Sequence, residues 1–224
     1  MATTATGYGF KPLNLIGGQS YNGGVIREYK VATNNSAAIF NGDLVVLSSA
    51  GQPSAVVTTS PVAIQIPATS ANATAGIVGV LVGARYVNGS TLQPIWQNYL
   101  PANTVTNAAS GTEVFIQVMD DPDALFQIKG SAALGTFNSG TNGSGWPGAI
   151  GKNAAIGFGS GGSTATGVSS FVLTVGTNGG SLAATTTLAL RIVDVVRGTE
   201  ADAYPEFIVK FNLGVHSYYN PLGV

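Results

Sequence analysis

The chain never holds one hydrophobic period for long. Short alternating apolar runs are cut again and again by Gly, Asn, Asp, Ser or Pro, and that interruption limits what it can fold into. Residues 112–129 show the plan. Val114, Ile116 and Val118 share one face of an extended segment, while Phe115, Gln117 and Met119 share the other. This is the period-two signature of a strand with a buried face. Asp120-Asp121-Pro122-Asp123 then breaks it, because Pro122 has no N–H for a ladder and its flanking carboxylates favour local turns. Leu125, Phe126 and Ile128 begin a second extended run.

The same plan predicts strands over Val25–Ala32, Gly42–Leu47 (through the Asn41-Gly42 turn), Ser54–Ser60, Gly76–Tyr86, Val168–Val175, Thr185–Val196 and Phe207–Phe211. Residues 87–104 are expected to be a long irregular connection anchored by Pro94, Trp96, Tyr99 and Pro101. Residues 135–148, almost all Gly, Ser, Thr and Asn, have the composition of a mobile loop, with Trp146 as a plug that pins it. No stretch carries a helical period for more than a few turns. Roughly ten strands at this spacing predict an all-β, antiparallel sandwich or barrel rather than a doubly wound α/β fold.

Charge narrows the functional classes. Only 8% of residues are charged and the net charge is −1, against about 25% charged residues in ordinary soluble domains. Between Ser131 and Leu190 the sole charged residue is Lys152. Without a basic patch no nucleic-acid partner is expected, since such binding rests on neutralising phosphates. Weak net charge also leaves little barrier to self-association. The absence of cysteine excludes disulfides, thiolate zinc sites and cysteine nucleophiles. Met1–Thr6 has neither a basic nor an apolar signal region, and the best apolar run, Gly76–Ala84, is strand-sized. Neither a secretory signal nor a membrane helix is expected.

Tests for chemistry find little. Gly157-Phe158-Gly159-Ser160-Gly161-Gly162 matches a dinucleotide fingerprint in letters, but no helix pattern follows it to receive a pyrophosphate. Gly151-Lys152 lacks the rest of a phosphate loop. Asp120, Asp121 and Asp123 could supply oxygens to a cation, but their spacing is not that of a calcium loop, and a turn with capping carboxylates is the simpler reading. His216, the single histidine, lies among Tyr218, Tyr219 and Pro221, a setting for packing rather than for a catalytic base. No enzyme activity, cofactor or metal is expected.

Residues 1–24 are set apart as an extended N-terminal arm preceding a β-rich domain, 25–224, with a sub-boundary near 131–150. The arm spaces Tyr8, Phe10, Leu13, Leu15, Ile16 and Tyr21 among six glycines. It is too broken for a helix and too apolar for a disordered tail, so it needs a surface to lie on. A neighbouring subunit or its own domain could provide one. These six side chains are the candidate assembly contacts.

Several segments together carry a resemblance: Tyr8-Gly9-Phe10-Lys11-Pro12 with Leu15-Ile16-Gly17-Gly18; Asn41-Gly42-Asp43-Leu44-Val45; Pro101-Ala102-Asn103-Thr104; Asp120–Phe126; Arg191–Val196; and Tyr204–Asn212 ending in His216. The set resembles structural proteins of tailed bacteriophages, most of all capsid decoration, or cement, proteins. The resemblance implies a jelly-roll-like or small-barrel fold. It also implies a homotrimer on the outer capsid surface at threefold and quasi-threefold positions, with the major capsid protein as partner and no catalytic residues. The alternative is a tail-fibre or adhesin module that meets a host glycan through Trp96, Tyr99 and Trp146.

Overall fold

In the computed structural model the described residues are 6–18, 26–31, 35–47, 53–55, 77–135, 146–157, 161–176, 179–186, 188–212, 216 and 218. Along them run β1 (Lys11–Leu15), β2 (Ile26–Lys30), β3 (Leu44–Leu47), β4 (Pro53–Ala55), β5 (Ile77–Val87), β6 (Pro94–Gln97), α1 (Thr104–Asn107), β7 (Phe115–Met119), β8 (Ala124–Lys129), α2 (Trp146–Ala149), β9 (Asn153–Gly157), β10 (Val172–Thr174), β11 (Leu190–Val195) and β12 (Glu206–Phe211). Both helices are single turns, and no helix among these residues is long and apolar enough to cross a membrane.

The strands form two antiparallel sheets. One has the order β1-β8-β12-β11-β9-β10; the other has the order β2-β7-β5-β3-β4, with β6 paired to β5. Neither closes into a barrel among the described residues. Of the two expected architectures, the sheets support a sandwich.

The sandwich shares one large core. Phe126, Ile128, Ile192 and Phe207 of the first sheet meet Leu44, Ile77, Val80 and Met119 of the second. A second cluster lies on the other side of the second sheet, where Leu81, Ala84, Ile116 and Val118 are covered by Ile39 and Leu100. β5 therefore begins as Ile77-Val78-Gly79-Val80-Leu81, buried on both faces. Such strands lose the apolar–polar alternation and become continuous hydrophobic runs.

The stretch 112–129 folds as its pattern predicts. Val114, Ile116 and Val118 are all buried. Asp121 Oδ1 accepts the Asp123 amide at 2.8 Å, and Ala124 N–H donates to Asp121 O at 3.1 Å, closing the turn between β7 and β8.

The segment 1–24 is not shown as a free arm. Over residues 6–18 it belongs to the sandwich: β1 pairs with β8, and Phe10 is fully buried in the shared core. Two glycines permit this. Gly9 (φ +74) and Gly42 (φ +87) adopt backbone angles that L side chains resist, and a Cβ on Gly9 would stand 2.6 Å from Gly42 O. That clearance lets Phe10 N–H reach Gly42 O at 3.0 Å.

The connection 87–104 is more ordered than its composition suggests. Pro94 opens strand β6, a position where the missing N–H does no harm because the strand lies at an edge. The predicted strands 168–175 and 185–196 shorten to β10 and β11. Of the expected strand 54–60, residues 56–60 lie outside the described residues. So does most of the loop 135–148, although Leu134 and Ala149, on either side of it, both join the shared core.

Candidate assembly surface

The second sheet extends past its cover. Met119 and Val80 carry one of its faces into the core, but farther along that face side chains remain solvent-accessible. There Lys30, Phe115, Arg85 and Trp96 stand in register across β2, β7, β5 and β6. The Arg85 guanidinium carbon lies 4.2 Å from the Phe115 ring centroid and 5.7 Å from that of Trp96. Glu28, one row away, grips the same guanidinium with both carboxylate oxygens, Nη2 to Oε2 at 2.6 Å. Arg85 holds the Glu28 carboxyl below its ordinary range by this hydrogen bonding. Lys30 pairs with Glu113. The charges on this shelf are thus matched within it, and Trp96 lies 66% exposed at its edge.

The β5–β6 hairpin ends in a polar turn that carries one exposed leucine. Asn88 Oδ1 accepts the amides of Ser90 (2.8 Å) and Thr91 (3.0 Å), and Leu92 N–H donates to Asn88 O at 2.9 Å. This network holds Leu92 at φ +56 with its side chain 71% exposed. A leucine gains nothing locally from that conformation, which costs about 1 kcal/mol, nor from exposure to water. Strain and exposure at one residue are typical of sites kept for a contact.

The three aromatics named for a glycan differ in exposure. Tyr99 stacks on Phe40 at 5.5 Å, with Gly162 against the Phe40 ring. Trp146 packs half-buried against the core, with the Arg197 guanidinium 5.3 Å from its ring. Only Trp96 of the three is broadly open.

The six candidate assembly contacts also separate. Phe10 is in the core, Tyr8, Leu13 and Leu15 are half-buried, Ile16 is 49% exposed, and Tyr21 lies outside the described residues. Burial, with the nearby Glu206 charge, raises the Tyr8 phenol pKa. No signal in the sequence marked Leu92. The Arg85–Trp96 pairing is hidden in the sequence because the prolines around Trp96 read as an irregular segment.

The three aspartates diverge. Asp121 caps the turn, Asp123 pairs with Lys210 at 3.3 Å, and Asp120 turns inward. Buried Asp120 accepts the Tyr29 hydroxyl at 2.5 Å and the Tyr218 hydroxyl at 3.3 Å, and pairs with Arg27 Nε at 3.2 Å. His216 is 1% exposed; its Nδ1 accepts the Tyr218 amide at 3.2 Å. Burial lowers the His216 pKa, so the ring is neutral at pH 7. The group tethers His216 and Tyr218 to the second sheet, and the imidazole is shielded from solvent. Among the described residues no three His, Asp or Glu side chains form a metal-ligating group. Comparison with known proteins finds no matching family model, no matching curated protein and no matching solved structure.

Proposed function

We propose that the chain is a structural virion protein that decorates and stabilises the outer surface of a tailed-phage capsid. In this reading it acts as a homotrimer at threefold and quasi-threefold positions, with the major capsid protein and its own copies as partners. The observation that carries the reading, beside the sequence resemblance, is the open shelf of the second sheet. Its charges are matched internally, Phe115 and Trp96 flank one guanidinium, and a strained, exposed leucine stands at the tip of the hairpin that carries Trp96. Such a surface loses little charge solvation when covered and gains from apolar burial, as a permanent contact requires.

Labelling purified phage particles with an antibody to this chain tests the reading. Label spread over the head is expected. Label confined to the tail would favour the glycan-binding alternative, for which Trp96 is the best-placed stacking group. Absence from the particle overturns both.

A further inference from the structure

We infer that the groove at the open end of the β11–β12 hairpin docks an acidic peptide segment with apolar neighbours, carried by the shell protein that the chain covers; the source of the segment rests on the decoration reading above. The groove holds about 460 Å³. Arg191 and Lys210, both in its lining, face each other on adjacent strands. Like charges placed directly opposite destabilise a sheet pair, and this chain has only nine Lys and Arg to place. Lys210 gives one of its three N–H donors to Asp123 at 3.3 Å. Exposed Arg191 makes no ion pair among the described residues.

Arg191 is nevertheless held in place. Its Nε donates to Asn153 Oδ1 at 2.5 Å, and Asn153, 2% exposed, gives Nδ2 to Thr185 O at 2.7 Å. A buried neutral amide thus orients the guanidinium without cancelling its charge. Among the described residues both Nη groups stay open to a carboxylate, which a guanidinium fork binds in bidentate fashion. The carboxylates nearby do not fill that role. Asp123 meets Lys210, and Asp194 stands opposite Ile208, where its Oδ1 accepts the Val195 amide at 2.8 Å. Lys152, beside Gly151 of the groove wall, adds a further cation at this end. Asn212, also in the lining, gives its Nδ2 to Leu188 O at 2.5 Å.

The rest of the lining decides what brings the carboxylate. Ile16 and Ile150 stand 49% and 40% exposed beside the two cations. Covering them gains apolar burial, which a bare inorganic anion cannot supply. Nucleic acid is a poor match, because so few cations cannot neutralise a run of phosphates. A segment with one carboxylate between apolar side chains satisfies both the fork and the isoleucines, and the groove has the size of a ligand pocket.

Nuclear magnetic resonance on the full chain tests the groove, with capped tripeptides as probes. A peptide of aspartate between two isoleucines should shift the Arg191 Nε–H and the Gly151 and Asn212 amides saturably. The same peptide with asparagine at its centre should bind about tenfold more weakly, as should the aspartate peptide to R191Q. R191Q alters one exposed side chain, and its fold is checked by circular dichroism. If it misfolds, the two peptides on the parent chain still decide. No saturable shift, or equal binding of the two peptides, overturns the groove as an acidic-peptide site. Acetate binding as tightly as the aspartate peptide makes it a small-anion site and overturns the proposal too. The source is tested on phage heads stripped of the chain, to which R191Q should re-attach about tenfold more weakly than the parent. Equal re-attachment after a positive titration overturns the shell as source and leaves decoration standing. A parent chain that does not attach to heads overturns the decoration reading, while the peptide titration still decides the groove.

Discussion

Two aromatic groups in this protein are built from similar residues and meet opposite fates. Phe10, Phe126 and Phe211 converge with ring centroids 5.3–5.9 Å apart and leave water completely or almost so. Phe115 and Trp96 flank Arg85 on the shelf, and Trp96 stays mostly exposed. The difference is one of cover. The first group lies where two sheets overlap, and the second lies where the second sheet runs on alone. An aromatic beneath another sheet stabilises the monomer, whereas one on an uncovered face adds little to it.

The comparison is broken most severely at Phe10. Phe10→Ala should cost about 3–5 kcal/mol, read as a lower denaturation midpoint. Deleting residues 1–15 should prevent cooperative unfolding from being seen at all, since β1 and Phe10 go together. A truncated chain that melts like the parent would return the segment to the role of a dispensable arm.

The next largest effect is expected at Asp120. Asp120→Ala takes the carboxylate from the Tyr29 and Tyr218 hydroxyls, which are left to bond each other, and from Arg27, costing about 2–3 kcal/mol. Hydrogen exchange at the Tyr218 amide should accelerate. A midpoint within error of the parent, with that amide still protected, would mean the tail is held by other contacts.

Asp43 sharpens the buried side of the comparison through pH. Its Oδ2 accepts the Phe40 amide at 2.8 Å, beside the crossing of Phe10 over Gly42, and burial pushes its pKa up from 3.8 to about 6. The folded chain then binds this proton more readily than the unfolded chain. The contribution of Asp43 therefore grows more favourable as pH falls from 7 through 6 and levels off below about 4, by roughly 2–3 kcal/mol. Asp43→Asn should flatten the pH dependence over this window. An unchanged profile would show that Asp43 ionises normally.

How much of this was legible follows from the same contrast. The alternation at Val114, Ile116 and Val118 and the break at Asp121-Pro122 are local facts, and local chemistry determined them. The fate of Phe10 depended on β8 and β12, more than a hundred residues away in sequence, so the glycine-broken arm looked as ready to lie on a neighbour as on its own domain. Trp96 fell in a segment whose prolines suggested irregularity, although a proline at the head of an edge strand is harmless. Asp120, Tyr29 and Tyr218 come from three distant parts of the chain, and nothing in their spacing announced the group.

The smallest effect gives the sharpest test of the open region. Leu92 is held at φ +56 and 71% exposed, so in the isolated chain its side chain brings strain and little packing. Leu92→Gly removes the Cβ clash, though glycine gives some of the gain back through greater freedom in the unfolded chain. The net should be a stabilisation of about 0.5 kcal/mol. If the hairpin tip serves a contact, the same change removes an apolar anchor worth roughly 1.5–3 kcal/mol when buried. Stability and binding to phage heads should then move in opposite directions in one variant, with the midpoint slightly up and attachment about tenfold weaker. Trp96→Ser should weaken attachment as well, with almost no change in melting. A Leu92→Gly chain that melts lower would mean the leucine packs in its own fold. One that melts higher and still binds fully would leave the strain at this tip without a contact to explain it.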